Sequence, residues 1–191
     1  GNDQFNLRSE ISLIGVHYSS VDWGDYNSDG FLDILLSGNN YLSGNFTAIY
    51  KNNGQYGFDL IEETNLPGIS NGKSLWADFD NDGDLDILLV GSNLLKIYAN
   101  YGNDVFQELY GIPSMNLSNS SASCGDYDND GDLDLLVASG GNNPAADQEY
   151  TNRLYFNNGK GDYIKKVNLT STRHNVSSVA PYDFDDDGDV D

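Results

Sequence analysis

Four nine-residue windows of the sequence share one pattern of oxygen-bearing side chains. They read Asp25-Tyr26-Asn27-Ser28-Asp29-Gly30-Phe31-Leu32-Asp33, Asp78-Phe79-Asp80-Asn81-Asp82-Gly83-Asp84-Leu85-Asp86, Asp126-Tyr127-Asp128-Asn129-Asp130-Gly131-Asp132-Leu133-Asp134 and Asp183-Phe184-Asp185-Asp186-Asp187-Gly188-Asp189-Val190-Asp191. The common form is D-x-[DN]-x-D-G-x-x-D. Oxygens at the first, third and fifth positions can converge on a hard cation, and glycine at the sixth permits a sharp turn. A backbone carbonyl at the seventh position (Phe31, Asp84, Asp132, Asp189) and the carboxylate at the ninth complete six or seven oxygens. That set suits Ca²⁺ better than Mg²⁺, which keeps waters and demands an octahedron. Soft metals are disfavoured by the presence of one cysteine and two histidines in the whole chain. The expectation is one Ca²⁺ per loop, up to four.

The charge distribution agrees. The 191 residues carry 30 acids and 9 bases, a formal charge of −21. Nineteen of the 30 acids lie inside the four windows, so the remainder is close to neutral. The acid excess argues against nucleic acid, whose phosphates need clustered Lys and Arg, and against docking on an anionic membrane. No apolar run approaches the length that spans a bilayer. A single cysteine excludes a disulfide framework.

Each of the first three windows is followed by an apolar run: Ile34-Leu35-Leu36, Ile87-Leu88-Leu89-Val90 and Leu135-Leu136-Val137. Carboxylates clustered beside a buried strand repel one another unless something cationic sits among them. An EF-hand begins alike but needs a glutamate at position 12. That position holds Leu36, Leu89 or Val137.

The windows sit in a longer repeat. Asp25, Asp78, Asp126 and Asp183 are 53, 48 and 57 residues apart. A second landmark recurs as Ile49-Tyr50-Lys51-Asn52-Asn53-Gly54, Ile97-Tyr98-Ala99-Asn100-Tyr101-Gly102 and Leu154-Tyr155-Phe156-Asn157-Asn158-Gly159, with an aromatic four residues on (Phe58, Phe106, Tyr163). From that glycine, or from Gly1, to the next window is always 24 residues. From window to glycine the distance is 29, 24 or 33, so the length variation falls in one segment of the unit. Short β-branched and aromatic runs bounded by Gly, Asn, Asp and Ser read as strands, and no stretch has the period and caps of a helix. Four strands per repeat of this length is the arithmetic of a propeller blade. The first strand precedes the window (Ser19–Trp23, Ser74–Trp76), the second follows it, the third carries the Ile-Tyr or Leu-Tyr pair and the fourth the aromatic.

With these loops and this period, the chain resembles the FG-GAP/VCBS repeat family, the unit of the integrin α-subunit propeller and of many secreted propellers. The resemblance covers the whole chain and is closer to bacterial-type VCBS repeats than to integrins: strand two ends in Leu36-Ser37-Gly38 or Val90-Gly91. It implies an all-β fold of four-stranded antiparallel blades, with a calcium loop joining strands one and two on the lower face. The chain then supplies about three to four blades of a seven-bladed ring. Residues 1–191 read as one partial propeller with units 1–53, 54–101, 102–158 and an incomplete 159–191. We expect a longer polypeptide, or an assembly of copies, to complete the ring.

The variable segment lies between strands two and three: Asn39 to Asn45, Ser92-Asn93 and Gly141 to Glu149. In propellers it occupies the upper face, beside the connections around Val16-His17-Tyr18, Gly68 to Gly72, Pro113 to Asn119 and Arg173 to Asn175. Its Asn, Tyr and Ser suit polar ligands such as glycans. Cys124 takes the repeat position of Trp23 and Trp76 and reads as a packed strand residue. His17 and His174 fall in connecting segments without a partner Ser or Cys, so no catalytic residue is assigned. N-x-[ST] sequons occur at Asn45, Asn116, Asn119, Asn168 and Asn175. The expected protein is an extracellular or cell-surface binding or adhesion module for glycans or surface proteins. The alternatives are a propeller of a polysaccharide-acting enzyme whose catalytic residues lie elsewhere, and a purely structural role.

Overall fold

A computed structural model describes residues 8–9, 11–109, 112, 117, 119–139, 152–163 and 165–169. Twelve strands form three separate four-stranded sheets, each an antiparallel meander in sequence order. The first sheet is β1 (His17–Gly24), β2 (Asp33–Asn40), β3 (Gly44–Asn52) and β4 (Phe58–Ile61). The second is β5 (Lys73–Ala77), β6 (Asp86–Gly91), β7 (Leu94–Asn100) and β8 (Phe106–Leu109). The third is β9 (Ser120–Gly125), β10 (Asp134–Ser139), β11 (Arg153–Phe156) and β12 (Lys165–Asn168). Among the described residues there is no helix and no closed ring. These are blades of a propeller, and each of the three described windows joins the first and second strands of its blade.

After its opening aspartate each second strand runs apolar, over Ile34 to Leu36, Ile87 to Val90 and Leu135 to Ala138, because both faces are covered. In β6, Ile87 and Leu89 join the cluster with Leu35, Ile49 and Trp76 on the side of the first blade. Leu88 and Val90 point the other way, into the cluster with Leu135, Val137 and Tyr155 of the third. Alternate residues of a strand face opposite sides, so a strand sandwiched between blades needs an unbroken apolar run.

Several details differ from the sequence expectation. His17 is the first residue of β1 and pairs with Asn39, ahead of a register irregularity between His17 and Ser20. The segment expected to be variable over Asn39 to Asn45 is mostly ladder: Asn39 pairs with Asn45 and Asn40 with Gly44, leaving Tyr41 to Ser43 as the turn. In the third blade the aromatic Tyr163 precedes the fourth strand instead of opening it, as Phe58 and Phe106 do. The fourth window, the segment Gly141 to Glu149, His174 and the connection Arg173 to Asn175 lie outside the described residues.

Candidate metal centre

The three described loops fold the same way. The fourth position takes left-handed backbone (φ 56 at Ser28, 60 at Asn81, 57 at Asn129), and the glycine at the sixth follows with φ 89, 93 and 92. The carboxylate at the first position holds the turn closed. Asp25 accepts from the Asp29 and Gly30 N–H groups, both at 2.9 Å. Asp78 accepts from Asp82 at 3.2 Å and Gly83 at 3.0 Å, and Asp126 from Asp130 at 3.1 Å and Gly131 at 2.9 Å. The fifth-position carboxylates accept from the seventh N–H at 3.0, 2.9 and 3.0 Å.

The folded turn draws carboxylates together. One oxygen from each of Asp78, Asp80 and Asp86 lies within 4.8 Å of the others, and the same holds for Asp126, Asp128 and Asp130. Two oxygens on opposite sides of a Ca²⁺ ion, each about 2.4 Å from it, are separated by about 4.8 Å. In the first loop the third ligand position is Asn27, whose Oδ1 also accepts from Asp29 N–H at 3.1 Å.

Two further observations fit a cation. Asp80 Oδ1 and Asp33 Oδ2 are buried without a hydrogen-bond partner. A buried polar atom left unpaired is costly, and a hard cation is the partner that an all-oxygen set accepts. Burial also pushes the carboxyls of Asp33, Asp80 and Asp134 above the ordinary carboxylate value. Asp86 is raised to about 7, chiefly by burial and further by the charges of Asp80 and Asp82. These groups are held where their negative charge is unfavourable unless a positive one is supplied.

The ninth-position aspartates do more than offer a ligand. Asp33, Asp86 and Asp134 are fully buried at the first residue of the second strand. Asp86 accepts from Phe79 N–H and Asn100 N–H, both at 2.9 Å, and Asp134 accepts from Tyr127 and Asn157, also at 2.9 Å. Asp33 accepts from Asn52 N–H at 2.7 Å. Each carboxylate therefore ties its loop to the end of the third strand. At the seventh position the side chains of Phe31 and Asp132 lead away from their own loops. The Phe31 ring lies against Gly54, and Asp132 Oδ1 accepts from Asn81 Nδ2 of the preceding loop at 2.6 Å. In the first and third loops the carbonyl of the seventh residue is then the atom suited to an ion in the same loop.

Asn52, Asn100 and Asn157, quoted in the sequence only as part of the second landmark, have a structural task. They are loop-holding residues. Asn100 Nδ2 donates to the carbonyls of Leu85 in its own loop (3.2 Å) and Tyr26 in the preceding one (2.8 Å). Asn157 does the same to Leu133 (3.1 Å) and Phe79 (2.8 Å). The signal was present: an asparagine stands at one fixed repeat position in all three landmarks.

The second loop position is an aromatic plug for the neighbouring blade. Tyr26 stacks on Trp76 at 5.4 Å with the rings 3° from parallel and also contacts Phe106, while Phe79 is fully buried with Tyr155 and Tyr163. Trp76 is blade packing, as expected. Trp23, its counterpart in the first blade, meets the Phe58 ring at 6.0 Å and is 54% exposed. Cys124 packs against the core of the second and third blades, and burial raises its thiol.

At the opposite end of the first blade, His17 stacks on Tyr41 at 4.1 Å and meets Tyr18 at 4.9 Å. Tyr18 is 65% exposed, Tyr41 87% and Leu42 98%. Tyr18 holds left-handed backbone at φ 51. Asn39, Asn45, Ser70 and Ser92 next to this cluster bond to one another, with Asn45 Nδ2 donating to Ser92 Oγ at 3.0 Å and Ser70 Oγ to Asn45 Oδ1 at 2.9 Å.

The repeat described as FG-GAP-like matches residues 25–89, 78–137 and 126–191, in step with the windows. No curated protein is similar enough in sequence to match. Among solved structures, a lectin of Agrocybe aegerita, described as specifically recognising non-reducing terminal N-acetylglucosamine, matches with a TM-score of 0.53 and 20% identity. The match covers 80% of this chain and 38% of the lectin chain, so this chain spans less than half of its length.

Proposed function

The chain belongs to the FG-GAP-like repeat family, and from that premise we propose that it is part of a calcium-stabilised β-propeller that binds neutral glycans at the end opposite its calcium loops. In each loop the ligands are the side-chain oxygens of positions one, three, five and nine and the carbonyl of position seven. The fourth window, Asp183 to Asp191, carries the same set. Calcium binding to the native state alone adds stability by mass action. Loops of this kind work where calcium is abundant, and the proposed location is accordingly outside the cell or on its surface.

The observation that carries the glycan reading is the exposed cluster of Tyr18, Tyr41 and Leu42 around His17. Large apolar side chains left in solvent together mark a contact surface. An open tyrosine face offers the flat, weakly polar platform on which the C–H face of a pyranose rests, and its hydroxyl offers a hydrogen bond. The charge of −21 disfavours acidic polysaccharides. The fold likeness to a lectin is consistent with this role.

The test is a neutral-glycan array probed with the complete polypeptide in millimolar Ca²⁺ and again in chelator, beside the Tyr41→Ala variant. We expect selective binding in Ca²⁺ that Tyr41→Ala weakens by tenfold or more without lowering the melting temperature. Absence of binding by folded, calcium-loaded protein would remove the glycan reading and leave a protein ligand.

A further inference from the structure

We propose that Asn100 and Asn157 couple the calcium loops of consecutive blades, so that filling one loop raises the calcium affinity of the next. The inference rests on the calcium reading above. Both asparagines are 3% exposed, and each side-chain amide donates once to its own loop and once across a blade boundary. Asn100 Nδ2 donates to Tyr26 O, between ligand positions one and three of the first loop. It also donates to Leu85 O, next to ligand position nine of the second. Its backbone N–H holds Asp86 Oδ1, and its own Oδ1 accepts from Gly102 N–H at 2.9 Å, which fixes the amide's orientation.

Asn157 repeats the arrangement one blade on. Its amide spans Phe79 O of the second loop and Leu133 O of the third, its N–H holds Asp134 Oδ1, and its Oδ1 accepts from Asn158 N–H at 2.8 Å. A direct bond from Asn81 to Asp132 joins the same two loops on the exposed side. Asn52 makes the equivalent bonds to Leu32 O and Asp33 Oδ1 within the first blade. The bridge therefore recurs at each described boundary.

Coupling follows from what each bond orders. Asp25 and Asn27 flank Tyr26, so holding both as ligands adds a restraint on the direction of the Tyr26 carbonyl. With the first loop open, the Asn100 amide loses one acceptor and must either turn or stay buried with an unpaired donor. Either outcome loosens the residue that positions Asp86. Closing the first loop prepays part of the ordering of the second, and the effect is reciprocal by linkage.

The experiment reads each loop separately. The backbone N–H groups of Gly83 and Gly131 are bonded to the first-position carboxylates of the second and third loops. Their amide NMR signals in the complete polypeptide report calcium occupancy loop by loop. Asp29→Asn disables the first loop by removing a ligand charge while keeping an oxygen for Phe31 N–H. We expect it to weaken calcium binding read at Gly83 by about fivefold or more, with a smaller change at Gly131. In an Asn100→Ala background the effect of Asp29→Asn on Gly83 should vanish. If Asn100→Ala does not fold, the Asp29→Asn comparison decides alone. Unchanged affinity at Gly83 in Asp29→Asn overturns the coupling while leaving the calcium loops standing. If calcium moves neither glycine signal in the parent protein, both the calcium reading and the coupling fail.

Discussion

At the scale of single residues, the loops place carboxylates where charge is costly until a cation is bound. Asp80 is the clearest case, with Oδ1 buried and unpaired. Asp80→Asn keeps the shape and removes the charge. It should raise stability in chelator by about 1 kcal/mol and lower it in millimolar Ca²⁺. Thermal melts in the two buffers check the inversion, and a loss in both would mean that Asp80 holds no ion. The pH dependence has the same origin. Asp86 ordinarily titrates near 3.8 and is raised to about 7 in the fold. A raised carboxyl gives stability that is full below its unfolded value and lost as pH rises through the folded one. In chelator the protein should therefore gain stability as pH falls from about 7 toward 4, and Asp86→Asn should flatten that slope. In Ca²⁺ the trend should reverse, because protons then compete with the ion. Melts at pH 5 and pH 7.5 distinguish the two. The loop turn and its clustered carboxylates were legible because oxygen-bearing residues recur with glycine at a fixed place. The second task of Asp33, Asp86 and Asp134, fastening the third strand, was not, because it depends on backbone N–H groups 14 to 23 residues away.

At the scale of elements, strand order was legible from the repeat, while strand ends depended on turn chemistry. Ser92 and Asn93 both take positive φ, 53 and 64, as a two-residue hairpin turn of the mirror-image type requires. The longer equivalent in the first blade was expected to be a loop because the length variation of the repeat falls there. Its ladder continues instead, since Asn39 and Asn45 satisfy each other through their side chains at 2.9 Å. The connections between blades were the least legible, because what restrains them is contact between distant backbones. At Gly72 an added Cβ would sit 1.8 Å from Val90 O and 2.6 Å from Gly91 Cα. Neither atom belongs to a side chain that can rotate away. Gly72→Ala should cost upwards of about 3 kcal/mol, read by denaturant unfolding in Ca²⁺. A change of less than about 1 kcal/mol would show that the connection does not pack against β6 as described.

At the scale of the molecule, stability is a chain of neighbour contacts. One apolar cluster joins the first and second blades and another joins the second and third. Repeat architectures of this kind approach a one-dimensional array, in which cutting one junction leaves the next intact. Phe79 is the residue to cut. It is fully buried, it comes from the acidic loop of the second blade, and it packs among Tyr155 and Tyr163 of the third. Truncation of a buried phenylalanine costs about 3–5 kcal/mol. The loss should fall on one junction, because the stack of Tyr26 on Trp76 across the other boundary shares no ring with it. Trp76 is 8% exposed and reports the intact boundary by fluorescence, and a Trp23→Phe background silences the exposed tryptophan. In the parent protein, Trp76 fluorescence and backbone hydrogen exchange in β9 to β11 should lose protection together. In Phe79→Ala, exchange in β9 to β11 should accelerate at temperatures where Trp76 fluorescence is still native. Coincident loss in the variant would mean that the blades unfold as one body and that the boundary clusters are not separable units.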